Sequence, residues 1–256
     1  MRVRIVAAAL LAIGMPLCAQ QKQAQPGPRP KSQKEVDALK KVQADQQAQN
    51  WDAVIADINY VLENFVDTEY KNTLLNMAMQ AAQNKGDYAQ TVSFGEQAIQ
   101  ADPNNSEAYV KIAETIALHT RENDLDKDQS LKKAETYGTK ALELLKSSGT
   151  PPAGIAPDQW QTYKKQLEGQ AHDALGMAYD VDKKYPQSID EYKAALDAYP
   201  NPILLTHLAK AYIDAKRYDD AIAADDKVLA MSDAPADVKQ FAQTQKDSAT
   251  KLKGAK

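Results

Sequence analysis

The C-terminal half of the chain repeats itself. Shifted by 33 residues, Leu175, Gly176, Tyr179, Tyr185, Ser188, Ile189 and Leu196 become Leu208, Ala209, Tyr212, Tyr218, Ala221, Ile222 and Leu229. A period of that length argues against one closed core, because each unit is a single supersecondary element that buries its apolar face by stacking on the next. Inside a unit the apolar and aromatic positions recur at three- and four-residue steps, which is helical spacing. Small side chains at Gly176, Ala209 and Ala221 let two helices approach closely, and Tyr179 and Tyr212 fill the space between pairs. Pro200 cannot continue a helix and marks the exit from its unit.

Looser copies precede these two. In the stretch from Asn84 to Asn105, Gly86-Asp87-Tyr88 makes an inter-helix turn, Ala98-Ile99 a buried face and Asp102-Pro103-Asn104 an exit, while Thr91 and Gly95 depart from the pattern. The helix before that turn is expected over 68–84, with Thr68 as its N-cap. Asn50-Trp51-Asp52 is the corresponding turn upstream. A third unit opens at Ser106 with Tyr109, Ile112, Ala113 and Ile116. It resumes at Ala134 with Gly138 and Ala141-Leu142, after a loop about nine residues longer than the repeat requires. A long helix follows from near Asp158, carrying Trp160, Tyr163, Leu167, Ala171, Ala174 and Ala178 at helical steps. Val238, Phe241, Ala242, Ala249 and Leu252 form one stripe suited to capping the last pair. The expected units lie near 34–66, 67–105, 106–148, 155–201 and 202–233, with a capping helix over 235–252.

On these residues the chain resembles tetratricopeptide-repeat (TPR) proteins, whose pattern W-x₂-L-G-x₂-Y…A-x₃-F…P spans about 34 residues. His172 stands at the tryptophan place and Ser188 at that of a small alanine; Asp225 replaces the aromatic found at Tyr192, so the last second helix is expected to pack less fully. The resemblance implies an all-α fold, a right-handed superhelix of stacked antiparallel helix pairs with a C-terminal capping helix. It also implies a concave groove lined by the first helix of each pair, toward which it places Asn76, Gln80, Lys111, Glu114, Asp173, Met177, Thr206 and Lys210. Amides can pair with an extended peptide backbone, and methionine adapts to varied apolar groups. The function so implied is that of a non-enzymatic, monomeric scaffold that binds a protein or peptide segment. The repeated Lys/Asn set by which chaperone-docking TPR domains clamp a C-terminal carboxylate is missing from these positions.

Composition narrows the alternatives. The 31 basic residues are interspersed among 35 acidic ones, for a net charge of −4; a nucleic-acid surface needs clustered cations, so none is expected. G-x-S-x-G, H-E-x-x-H and a phosphate-cradling glycine loop do not occur, so neither an enzyme nor a cofactor is expected. His119, His172 and His207 are scattered. The one metal-like pattern is Asp124-x-Asp126-x-Asp128 with Glu135, spaced as in an EF-hand loop. Gln129 stands where that loop needs glycine and Lys132 where it needs an oxygen ligand, so the acids are better read as complementing a helix N-terminus. The alternative is an enzyme or calcium-responsive protein using the acidic loop over 119–135 or the Pro151-Pro152 insertion.

The N-terminus has its own pattern. Arg2 and Arg4 precede an apolar run from Ile5 to Ile13, broken by Gly14 and Pro16 ahead of Leu17-Cys18-Ala19. This is the layout of a secretory signal over 1–19, too short to span a bilayer. An exported protein, periplasmic or secreted, is expected, with the mature chain starting at Gln20. Its net charge would be −6, since the removed piece carries two arginines and no acid. A lipid anchor on Cys18, the only cysteine, is disfavoured by Leu17, which occupies a position where lipoproteins carry a small residue. Residues 20–33, rich in glutamine and proline, are expected to form a disordered leader.

Overall fold

The computed structural model describes residues 27–149 and 155–255. The expected export signal with Cys18, the leader over 20–26 and the Pro151-Pro152 pair lie outside the described residues. Among the described residues the secondary structure consists of eleven helices: α1 (Gln33–Gln47), α2 (Trp51–Asn64), α3 (Lys71–Lys85), α4 (Tyr88–Ala101), α5 (Ser106–His119), α6 (Lys127–Ser147), α7 (Pro157–Val181), α8 (Tyr185–Ala198), α9 (Pro202–Asp214), α10 (Tyr218–Ala230) and α11 (Ala236–Gly254). Each helix packs against the one before and the one after it. The odd-numbered helices also meet one another, α5 on α7, α7 on α9 and α9 on α11. The chain is therefore a stack of helix pairs in which first helices share one side. No helix among the described residues is long and apolar enough to cross a membrane.

One turn closes four of the five pairs. Gln49, Gly86, Lys183 and Lys216 each take positive φ, between 57° and 75°. The N–H of the next residue then reaches back to the last turn of the helix: Asn50 to the Asp45 carbonyl, Asp87 to Ala82, Lys184 to Tyr179 and Arg217 to Tyr212, at 2.8–3.0 Å. This Schellman-type closure satisfies carbonyls that the helix end would otherwise leave unpaired. The helices then restart on side-chain caps at Asn50 and Asp87, whose oxygens accept from Ala53 and Gln90 N–H. Asn105 and Asn201 cap α5 and α9 in the same way.

The third pair departs from this scheme, and from expectation. Its second helix starts at Lys127 rather than at Ala134, so the connection after α5 is only a short loop. The extra turns are anchored: Leu131 is buried in the core, and Lys127 reaches Asp182 after α7 at 3.6 Å. The start of α3 also differs. Thr68 is not its N-cap; the helix begins at Lys71, and the Thr68 hydroxyl donates to Glu35 Oε1 at 2.7 Å.

That contact explains a second correction, to the leader. Ser32 caps α1, its Oγ accepting from Glu35 N–H, and Glu35 Oε2 accepts in turn from the N–H of Lys31, the residue before the cap, at 2.6 Å. Glu35 is 1% exposed. Residues 28–31 are held down beside it. Tyr70 donates its hydroxyl hydrogen to the Pro28 carbonyl, Arg29 N–H donates to Glu69, and Lys31 Nζ pairs with Asp67 at 2.9 Å. The part of the leader that the structure describes is thus a strap across the α2–α3 turn.

Packing between units depends on the small residues. A Cβ at Gly176 would lie 2.6 Å from the Tyr192 ring, and one at Gly95 would lie 2.5 Å from Ile112 Cγ1. Gly95, which departs from the repeat pattern, is therefore what lets α4 close on α5. The largest fully buried apolar side chains, among them Ile58, Leu74, Leu75, Met79, Ile112, Ile116, Leu145 and Leu167, all lie between α1 and α7. The C-terminal end is thinner, and α11 buries only Ala242, Gln245 and Ala249.

Candidate functional site

The row of side chains along the first helices is where the sequence places a groove, and the structure divides that row into three kinds of position. At the N-terminal end, α3 presents amides. Gln80 is exposed, and its Nε2 lies 3.3 Å from both Gln83 Oε1 and Asn84 Oδ1, at the long edge of hydrogen bonding. Asn76 is half-buried, and its Oδ1 accepts from Asn105 Nδ2 at 2.8 Å. Asn105 in turn caps α5, so this amide pair fixes how the second unit meets the third.

The middle positions pair within α5, and the C-terminal ones lace neighbouring helices together. Lys111 and Glu114 pair at 3.1 Å on α5, with side chains 14% and 27% exposed. Glu107 of the same helix accepts from the Tyr163 hydroxyl of α7. Burial, and then the Glu107 charge, hold that phenol in its neutral form. Asp173 of α7 accepts from His207 Nδ1 of α9 at 2.7 Å, and the imidazole sits 5.7 Å from the Tyr192 ring. Burial by itself lowers the proton affinity of His207; the Asp173 hydrogen bond and the charges of Asp173 and Asp180 outweigh it, and its pKa is raised. Lys210 bridges Asp180 of α7 at 2.7 Å and Asp214 of its own helix at 2.6 Å. Met177 is half-buried and packs into the cores on both sides of α7.

Thr206 corrects the expectation outright. It is buried, its hydroxyl donates to the Ile203 carbonyl at 2.7 Å, and its own carbonyl accepts from Gln245 of α11 at 3.3 Å. The capping helix lies over it, so Thr206 is no part of an open face.

The acidic loop is dispersed. Asp124 accepts from Arg121 N–H at 2.6 Å, Asp126 lies 3.2 Å from the Ser130 hydroxyl, and Asp128 sits in the first turn of α6. Glu135, two turns along α6, accepts from Lys132 and from the Tyr179 hydroxyl. The continuous helix from Lys127 removes the loop that an EF-hand would need. Among the described residues no three His, Cys, Asp or Glu side chains are grouped as metal ligands. Each histidine is engaged in a structural contact: His119 with the Thr115 carbonyl, His172 with Glu191, His207 with Asp173.

A cleft of about 420 Å³, which the repeat pattern does not announce, lies between α8 and α10 with α9 as its floor. Leu196, Leu205, Leu208, Tyr212 and Met231 supply its apolar lining, and Lys193, Asp197, Asp220 and Lys227 its charges. The signal lay in Ala223 and Ala224, two small residues on a second helix that leave room against α8.

The sequence matches no protein-family model and no curated protein. Solved structures do match. The thermophilic TPR protein TTC0263 of Thermus thermophilus superposes with a TM-score of 0.58 at 15% identity, over 82% of this chain and 98% of that one. MamA of Desulfovibrio magneticus RS-1 gives 0.53 at 15% identity, over 88% and 98%. YrrB, described as a TPR protein with an unusual peptide-binding site, gives 0.54 at 15% identity, over 84% and 94%. With the helix pairs, their common turn and the 33-residue repeat, these likenesses establish the fold: the chain folds as a TPR solenoid.

Proposed function

We propose that this chain is a non-enzymatic scaffold of the cell envelope that holds an extended segment of another protein against its first-helix face, with α3 as the main contact. The observation that carries the reading is the amide patch of Gln80, Gln83 and Asn84. Elsewhere along the row the polar groups are engaged in shorter bonds, within α5 for Lys111 and Glu114 and between helices for Asn76, Asp173 and Lys210, whereas these amides make only long contacts with one another. A primary amide offers donors and an acceptor together, as a peptide backbone does, and can exchange a weak partner for a better one. The peptide-binding site named for YrrB, on the same fold, supports this use. Export rests on Arg2, Arg4, the apolar run and Ala19. An N-terminal sequence beginning at Gln20, read from protein recovered outside the cytoplasm, would agree with it; lipid on Cys18 would contradict it.

The binding test uses a library of extended peptides and the Gln80→Ala/Asn84→Ala double variant. Loss of capture with an unchanged melting temperature is expected, since exposed polar substitutions alter stability by about 0.5 kcal/mol or less. Full binding by that variant would remove α3 from the site.

A further inference from the structure

The solenoid ends on α11, which occupies the place of a sixth first helix, and its seat is unusual. The helix buries two alanines and a glutamine, while its large apolar residues Phe241 and Leu252 are 52% and 41% exposed. Beneath it, Asp225 of α10 is fully buried, and neither carboxylate oxygen has a hydrogen-bond partner. The preceding unit fills that position with Tyr192, which packs on Gly176. Asp225 instead places a carboxylate in a gap that α11 covers.

The helix register shows what Asp225 faces. Ala221 of α10 shares a core cluster with Ala249 of α11, and Val228 of α10 shares one with Ala242. Asp225 lies between those two contacts on α10, and Gln245 lies between them on α11. Gln245 is itself buried, with an Oε1 that has no donor. Both groups are thus buried at this interface, and their unpartnered oxygens have no hydrogen to accept. A proton on Asp225 removes the buried, unpartnered charge.

We propose that α11 is a proton-gated cap, which closes the end of the solenoid while Asp225 is protonated and loosens when that carboxylate ionises.

The surrounding charges favour the protonated form. Asp226, next on α10, adds like-charge repulsion and is paired with Lys246 of α11 at 2.7 Å, so the nearest cation is already shared. On α9, His207 and Lys210 turn toward α7, where they meet Asp173 and Asp180, and Lys210 also holds Asp214. Tyr212 of α9 lies under the Arg217 guanidinium and lines the outer cleft. Burial, then Asp226, against a smaller opposing effect of Lys246, push the Asp225 carboxyl up to about 7. Because the docked value lies above that of a solvated aspartate, docking is strongest below about pH 4, weakens as pH rises, and has lost this contribution above about pH 7. The gate concerns the cap alone and stands whether or not a peptide occupies α3. Opening it uncovers Thr206 and the apolar ends of α9 and α10.

Hydrogen exchange of the full chain, corrected for intrinsic rates, tests the gate at about pH 5.5 and 8. Protection in α11 should fall by about tenfold or more at the higher pH, while α3 keeps its protection. In Asp225→Asn, which keeps the shape and removes the titration, α11 protection should be the same at both values. Wild-type protection in α11 that does not change with pH would overturn the proposal without any variant having to fold. So would an Asp225→Asn chain that retains the wild-type response.

Discussion

Three of the four turn positions with positive φ, Gln49, Lys183 and Lys216, carry side chains where the fourth carries Gly86. For an L-residue that conformation crowds Cβ against the following carbonyl, a cost of about 1 kcal/mol. Lys216→Gly should therefore raise stability by about 0.5–1 kcal/mol, and Gly86→Ala should lower it by about 1 kcal/mol. A Cβ at Gly86 meets no atom within 4 Å, so the second change isolates the backbone effect. Urea unfolding of both variants checks the pair. The turn at Gly86 was legible because glycine signals it; its three relatives were found only through the spacing of the units around them. Gly176→Leu is a packing test of a different kind. Its side chain would drive into the Tyr192 ring, with an expected loss of about 1–3 kcal/mol. Gly176 was readable from the repeat, whereas the matching role of Gly95 was not, since the pattern asks for a large residue there.

Element boundaries were legible where a turn residue announced them and misread where a local signal had a distant use. Thr68 followed by Glu69 reads as a helix cap, yet the hydroxyl bonds Glu35, in a different unit. Nothing local in the sequence records that pairing. Thr68→Val should leave a buried carboxylate oxygen without its donor and cost about 1–3 kcal/mol. Hydrogen exchange over 28–31 should rise in that variant, because the strap and Glu35 are held together. The repeat pattern puts the start of α6 too late for a similar reason. The residues 127–133 form good helix, but the repeat alone supplies no cause to begin there; Leu131 in the core and Lys127 at Asp182 do. With the acids of this segment dispersed over the loop before α6, its cap and its first turns, added calcium should leave thermal unfolding unchanged. A melting temperature that rises with calcium, and stops rising in Asp126→Ala, would contradict that account.

At the scale of the whole molecule, stacking was the most readable property, because a 33-residue period in sequence is a period in space. The surface was less so. A repeat pattern tells which helix faces the shared side but not whether a polar residue there meets solvent or the next helix. Asp173 and Lys210 reach across to neighbouring helices, and Thr206 lies under the cap. These contacts give the solenoid a pH signature. His207 and Asp225 both have raised values: the Asp225 contribution declines from about pH 4 and is gone above about pH 7, whereas that of His207 is full below about pH 6.5 and is lost as pH rises through its raised value. Asp67, Glu122 and Asp182 are lowered by their lysine partners, and their contributions are lost only as pH falls below about 4. Thermal stability should therefore peak on the acid side of neutrality, which a melting series over pH would show; a maximum above pH 8 would oppose it. The central claim, that the first-helix face around α3 is where the partner lies, has a direct test. A photo-crosslinking residue is placed at Gln80 in one chain and at Ala223, in the cleft between α8 and α10, in another, and both are irradiated in living cells. The account predicts a crosslinked partner from position 80 and none from position 223. A partner captured only from position 223 would contradict it and move the binding face to the second helices.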